Sequence, residues 1–339
     1  MLLQPVSQAE SEAFDGFVGE HLHGDPLQGT CFGDLQACGG RSVHRFYLVE
    51  QGRPIGSLSL IGMQVGRLGT LLYAPRGPVL DPRQRVAWRA LAAELGQAFP
   101  KAFAFSCAPR LEHTLPHPPG YWERAGLALS PPVPRTVVEL PLSGDPARDF
   151  ERLSRRCRVK VRRAKSHGVT VREAGPDELR LFLGLMRQGP AGGWSIAQTP
   201  SDLADVVSAF AQRGQAGLFL AGEDGAVTAA SIVIRLGRHA LCKHFGGDGG
   251  GRNRAAGYAA QWAAIAWAER QGAERCDITG FRASDDRSLQ ELVRRFGGIE
   301  RRYSLLEFPL RIGPYLGYRL LPSGRLRART GATAAAAAR

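Results

Sequence analysis

The densest charge in the chain runs from Arg152 to Lys165, where Arg152, Arg155, Arg156, Arg158, Lys160, Arg162, Arg163 and Lys165 occur without an acid among them. Leu153, Cys157, Val161 and Ala164 fall at i, i+4, i+8 and i+11, one stripe of a helix, which leaves the cations on its outer side. Like charges one turn apart repel, and a merely solvated face ordinarily mixes in glutamate, so the pattern predicts a bound anion. Guanidinium forks match phosphate oxygens, which assigns phosphate to Arg158 and Arg162 and predicts that removing both relieves repulsion along the helix. A second anion cradle is spelled by Gly249-Gly250-Gly251-Arg252-Asn253-Arg254-Ala255-Ala256-Gly257-Tyr258, a flexible loop that delivers backbone N–H groups to the start of a helix. Arg252 is its candidate anion ligand, and the hydroxyl of Tyr258 is placed to bond substrate. His244 and Lys243 stand on the strand before this loop, where an imidazole can serve in proton transfer. Asp277 ends a short apolar strand, at the place where α/β sites gather polar groups. Three of these residues have a structural alternative: helix-start packing for Tyr258, a satisfied core imidazole for His244, a cap or turn for Asp277.

Such residues need a frame, and the sequence supplies it twice. Residues 45–60 (RFYLVEQGRPIGSLSL) read as two β-rich runs about Gly52, and residues 217–235 (GLFLAGEDGAVTAASIVIR) repeat the pattern about Gly225. Each hairpin is followed by a helical stretch with a tryptophan: Trp88, Leu91, Leu95 and Phe99 in the first half, Trp262, Ile265, Trp267 and Ala268 in the second. Both tryptophans are expected in the core. Short strands at 102–106 and 275–279 close the two repeats. Hairpin, helix and strand in the same order twice point to an internal duplication. The Pro/Gly/Ser/Asp cluster from Pro141 to Pro146 marks the seam, giving domains 1–145 and 146–312 and a basic tail 313–339 that returns to the first domain. The run from Ala334 to Ala338 is expected to fray.

A chain of 339 residues with 44% hydrophobic and 22% charged residues has enough apolar material for two cores, which excludes collagen-like and wholly disordered readings. Its net charge of +13 calls for an anionic partner such as RNA, a phosphorylated substrate or an acidic membrane surface. No apolar run reaches the roughly 18 residues of a membrane-spanning helix, and residues 1–10 lack the marks of a signal peptide. The expected location is the cytoplasm, including the inner face of the membrane by peripheral association. Cys31, Cys38, Cys107, Cys157, Cys242 and Cys276 are scattered without paired spacing, and prolines 116, 118 and 119 spoil a helix through His113 and His117, so no metal site is expected.

Four segments resemble the FemABX family of peptidoglycan bridge-forming aminoacyltransferases. Pro26-Leu27-Gln28 with Phe32-Gly33 looks like its "PLQ…WG" opening, and Tyr73-Ala74-Pro75-Arg76-Gly77-Pro78 is similar to its "Y-x-P-R-G-P" stretch. Arg158-x-x-Val161-Arg162-x-Ala164, ending in Gly168-Val169, resembles its basic helix. Tyr258-x-x-Gln261-Trp262, Cys276-Asp277-Ile278-x-Gly280 and Phe296-Gly297-Gly298 resemble its C-terminal half. The resemblance implies an α/β protein of two tandem GNAT-like (acyl-CoA N-acyltransferase-like) domains. It further implies transfer of an amino acid from aminoacyl-tRNA to the stem-peptide amino group of a lipid-linked or UDP-linked muropeptide precursor. Neither cofactor nor metal is implied, and DNA is not a partner. Gln28, Arg76, Arg158, Arg162, Arg252, Tyr258 and Asp277 become substrate-binding candidates. Gln36 and Ala108 depart from the family pattern, as does Leu292-Val293, where the family has a lysine; the nearest cations are Arg294 and Arg295, so Arg294 joins His244 as catalytic candidate. The Arg252-x-x-Ala255-x-Gly257 loop also approaches the pyrophosphate loop of CoA-dependent GNAT N-acyltransferases, though Ala255 replaces a glycine. That enzyme class is one alternative; a non-catalytic RNA-binding protein is the other.

Overall fold

A computed structural model describes residues 2–81, 88–110, 133–188, 200–246, 254–278 and 296–321. Internal contacts divide the chain into two units, Met1–Thr136 with Arg302–Arg339, and Val137–Arg301.

The first unit begins with β1 (Leu2–Pro5), α1 (Ser11–Glu20) and α2 (Thr30–Cys38), then the hairpin β2 (Ser42–Glu50) and β3 (Arg53–Gln64). Gln51 and Gly52 both have positive φ, 49° and 75°, the turn that suits two twisted antiparallel strands. Next come β4 (Thr70–Ala74), β5 (Val79–Leu80), α3 (Trp88–Ala98) and β6 (Ala102–Cys107). The sheet order is β1-β2-β3-β4-β6, antiparallel except where β4 meets β6 in parallel across the α3 crossover. Trp88, Leu91 and Leu95 bury the inner face of α3 on Leu58, Leu60, Leu72 and Phe105.

The second unit takes in the end of β7 (Val133–Pro141), then α4 (Pro146–Arg152), α5 (Arg155–Ser166), β8 (Thr170–Ala174), α6 (Leu179–Gln188) and α7 (Pro200–Gln212). The repeat then returns as β9 (Ala216–Glu223), β10 (Ala226–Leu236), β11 (His239–Gly246), α8 (Arg254–Arg270) and β12 (Arg275–Asp277). Asp224 and Gly225, with φ of 51° and 78°, reproduce the turn of the first hairpin. The order β8-β9-β10-β11-β12 and the parallel β11–β12 pair match the first unit strand for strand. In the core under α8, Ala264, Ile265, Trp267 and Ala268 pack on Phe219, Val233, Ala240 and Cys242. Trp262, expected in that core, is only half-buried and lies against Phe150 at 5.3 Å; Trp267 takes the core place.

Each repeat ends on a strand from elsewhere in the chain. In the second unit, Glu139–Pro141 of β7 pair antiparallel with β12, so the boundary lies inside β7 and ahead of the Pro/Gly cluster. In the first, Leu306–Pro309 of β13 (Ile299–Pro309) pair with β6, and α9 (Ile312–Arg319) follows, its Tyr315 and Tyr318 packing on Phe103. The first unit therefore reclaims the chain from Arg302, eleven residues ahead of the 313 expected from the sequence.

Candidate functional site

The parallel pairing of β11 with β12 covers only His239–Leu241 against Arg275–Asp277, after which β11 runs on to Gly246. The loop 247–253, with Arg252, lies outside the described residues; α8 begins at Arg254. Asp277 is inside the ladder rather than at a turn: it pairs with Glu139, and the next N–H, that of Ile278, donates to Val138 O at 3.0 Å. It is 1% exposed. Glu139 is buried beside it and lies 3.5 Å from Arg301 Nε. Tyr258, on α8, is buried and stacks on Phe296 (5.8 Å, 15°), while Lys160 Nζ stands 5.1 Å from its ring centroid. The Phe296-Gly297-Gly298 motif reaches this place because Gly298 has no side chain: a Cβ there would meet Val138 Cγ1 at 2.4 Å.

The basic segment is not one helix. Chain direction breaks at Leu153 and Ser154, and the Ser154 side chain caps α5 by accepting from Cys157 N–H at 3.2 Å. Leu153, Cys157 and Ala164 are buried as the spacing predicts, and Val161 is partly buried. The cations, however, have an acid the count missed by one position. Glu151 on α4 pairs with Arg162 Nη2 at 2.8 Å and with Arg158 Nε at 3.6 Å. Arg158 also donates to the carbonyls of Glu151 and Leu153, the latter at 2.9 Å, so it clamps the α4–α5 corner. Arg162 is 62% exposed and rests over Phe150 at 5.4 Å. Arg152 pairs with Asp149 at 3.2 Å. The repulsion inferred from the sequence is thus partly met from within, and removing Arg158 takes away a clamp rather than a burden. Arg155, Arg156, Arg163 and Lys165 remain on the exposed face.

Behind this corner lies a carboxyl pair that no sequence signal marked. Burial, then contact with Asp149, pushes Glu269 up to about 7. Burial also works against the charge of Asp149, but hydrogen bonds from Ser143 and Arg152 outweigh it and hold that carboxyl low. The Ser143 N–H donates to Asp149 Oδ2 at 2.7 Å, tying the α4 start to the chain before it.

The motif residues of the first unit form a structural knot. Asp25 caps the Pro26–Gln28 turn by accepting from Leu27 N–H at 3.0 Å. The fully buried Gln28 amide donates to Pro75 O (2.7 Å) and Ser59 O (3.3 Å) and accepts from Ser59 N–H (2.9 Å). Gly77 lies so close that a Cβ would stand 2.3 Å from that amide. Arg76, in the left-handed region at φ 57°, is buried 4.8 Å from the ring centroid of Tyr303. Ala108 N–H donates to Gly77 O at 3.0 Å, and the buried Gln36 accepts from Arg41. The Gln28 amide is therefore bonded to backbone inside the first unit, where Arg76 is also buried, whereas Tyr258, Asp277 and Arg162 lie in the second.

Like Arg252, Arg294 lies outside the described residues, as do Leu292, Val293 and Arg295, and so does the side chain of His244, whose backbone pairs with Ser231. Among the described residues no group of His, Cys, Asp and Glu could hold a metal ion, and no helix is long and apolar enough to cross a membrane. All six cysteines are free, and burial pushes the Cys157 thiol up to about 12, a poor nucleophile.

Hairpin, third strand, crossover helix and parallel strand, built twice, define a tandem pair of GNAT-like domains. Residues 151–287 match the acetyltransferase (GNAT) domain family. The chain is similar to the lipid II:glycine glycyltransferase of Staphylococcus aureus, 28% identical over 244 residues, which cover 67% of this chain and 57% of that protein. It thus spans little more than half the length of this curated relative. Among solved structures, FemX superposes with a TM-score of 0.74 at 18% identity, covering 95% of this chain and 100% of its own. A tandem GNAT protein from the clavulanic acid biosynthesis pathway gives 0.52 at 14% identity, covering 91% and 98%. The resemblance to bridge-forming aminoacyltransferases is thereby shown, and the fold is the tandem one it implied.

Proposed function

We propose that this chain is an aminoacyltransferase that moves an amino acid from aminoacyl-tRNA to the stem-peptide amino group of a lipid-linked or UDP-linked muropeptide precursor. The observation that carries the reading is its similarity to a lipid II:glycine glycyltransferase over 244 residues. In the reaction the acceptor amine attacks the ester carbonyl, a C–N bond forms, the C–O bond to the tRNA ribose breaks, and the amine proton ends on the ribose oxygen. His244 takes that proton, and Arg294 stabilises the oxyanion of the tetrahedral intermediate. Tyr258, Asp277 and Arg252 bind acceptor and donor groups at the end of β11. The cationic face of α5, with Arg162, holds phosphate, which the net charge of +13 favours. Gln28, Arg76 and Arg158 act as positioning residues. No cofactor or metal enters the reaction, which runs at the cytoplasmic side.

The test is transfer by the purified chain of labelled amino acid from charged tRNA to muropeptide acceptors, without coenzyme A and with EDTA present. Acceptor mass rising by one residue is the expected result. Strict dependence on acetyl-CoA would replace this reading with a CoA-dependent N-acyltransferase. RNA binding without turnover on any acceptor would replace it with an RNA-binding protein.

A further inference from the structure

Helix α9 is held to the first unit by one face and leaves the other bare. On the inner face, Tyr315 and Tyr318 are buried, the Tyr315 hydroxyl donates to Glu307 Oε1 at 2.9 Å, and Phe103 O accepts from the N–H groups of Leu310 and Arg311. On the outer face, Ile312, Leu316 and Leu320 repeat at i, i+4 and i+8 and are 62%, 47% and 85% exposed. Leu320 keeps the helical register, since its N–H donates to Leu316 O at 3.1 Å. Three large aliphatic side chains in one row on a firmly seated helix are not the scattered exposure of an ordinary surface.

The surroundings of this row are cationic. Arg311 and Arg319 bracket the helix, both exposed, and Arg319 reaches Glu307 at 3.7 Å. The single-turn helix Gly66–Leu68 packs beside it through Leu68 and carries the exposed Arg67. An aliphatic row rimmed by arginines is complementary to the boundary between anionic headgroups and acyl chains. A second copy is a poor occupant, because it would bring the same rim against itself in a protein of charge +13.

We propose that α9 is a membrane-docking element: Ile312, Leu316 and Leu320 enter the acyl boundary of an anionic bilayer, and Arg67, Arg311 and Arg319 meet its phosphates. This does not rest on the acyl-transfer reading and is tested without any substrate. The full chain is pelleted with sucrose-loaded vesicles of phosphatidylcholine alone and with about 30% phosphatidylglycerol. Binding to the anionic vesicles only is expected. The triple variant Ile312→Ser, Leu316→Ser, Leu320→Ser should bind about tenfold more weakly, and Arg311→Gln about fivefold more weakly. Should the triple variant fail to fold, Leu320→Ser alone, at the most exposed position, should still weaken binding about threefold. The proposal is overturned if the wild type does not pellet with anionic vesicles, or if the folded triple variant pellets like wild type. It is equally overturned if Arg155→Glu with Arg156→Glu, rather than the α9 variants, abolishes pelleting. Concentration-dependent dimers dispersed by the triple variant would assign the row to a second copy and would also overturn it.

Discussion

The two units repeat one scheme and part company at the carboxyl end of the parallel strand pair. In the first, pairing runs to Ala74 opposite Cys107, and the chain beyond is knotted: the Gln28 amide fills the space over Gly77, and Ala108 N–H donates to the Ala74 and Gly77 carbonyls. In the second, pairing stops at Leu241 opposite Asp277 while β11 continues from Cys242 to Gly246 toward the glycine-rich loop. Polar groups satisfied by their own backbone have no capacity left for a ligand. The first unit thus bonds its motif amide to its own backbone at the point where the second lets β11 run on past its partner strand. A motif residue's task depends less on its type than on whether its hydrogen bonds are already taken.

The hardest test of that contrast is Gln28→Ala. It strands the Ser59 N–H and two carbonyls in the interior, and unfolding should become easier by about 3 kcal/mol in a denaturant titration. A stable variant with impaired substrate binding would instead return Gln28 to the site. Arg158→Ala comes next. Losing the corner clamp should cost about 1.5 kcal/mol, against the gain that relief of like-charge repulsion alone would give; a higher melting temperature would refute the clamp.

The Asp149–Glu269 pair should show in the pH dependence. Glu269 is raised from 4.5 to about 7, so the folded state holds more protons than the unfolded one in that window. Stability from this group is therefore full below about pH 4.5 and is lost as pH rises through 7. Asp149, held low, acts oppositely and only below its ordinary range. Glu269→Gln should flatten the slope of melting temperature between pH 4.5 and 7 and raise stability at pH 8 by about 1 kcal/mol. An unchanged slope would mean that burial does not raise Glu269 in the folded state. The smallest effect belongs to Arg162→Ala. Its pair with Glu151 is exposed on both sides, so stability should move by less than about 0.5 kcal/mol. Binding of anionic substrate should weaken, with a shallower salt dependence; unchanged affinity and salt slope would make it a plain surface residue.

What could be read from sequence was whatever repeats over short distances. Both hairpins were legible because Gln51-Gly52 and Asp224-Gly225 sit between alternating runs, and a two-residue turn with positive φ dictates the pairing of its own flanks. The buried stripe of α5 was legible from helical spacing, and the order of motifs carried the resemblance. Tertiary structure decided the rest. Strand β13 completes the sheet of the first unit from nearly two hundred residues downstream of β6, and no local period announces such a return. Trp267 rather than Trp262 lies in the core, Trp262 packing at its edge beside Phe150 of α4. Glu151 reaches Arg158 and Arg162 only because the chain turns at Ser154, folding an acid from one helix over cations of the next. Periodicity is a property of neighbours in the chain, whereas charge compensation and burial are properties of neighbours in space, and only the folded chain sets the second.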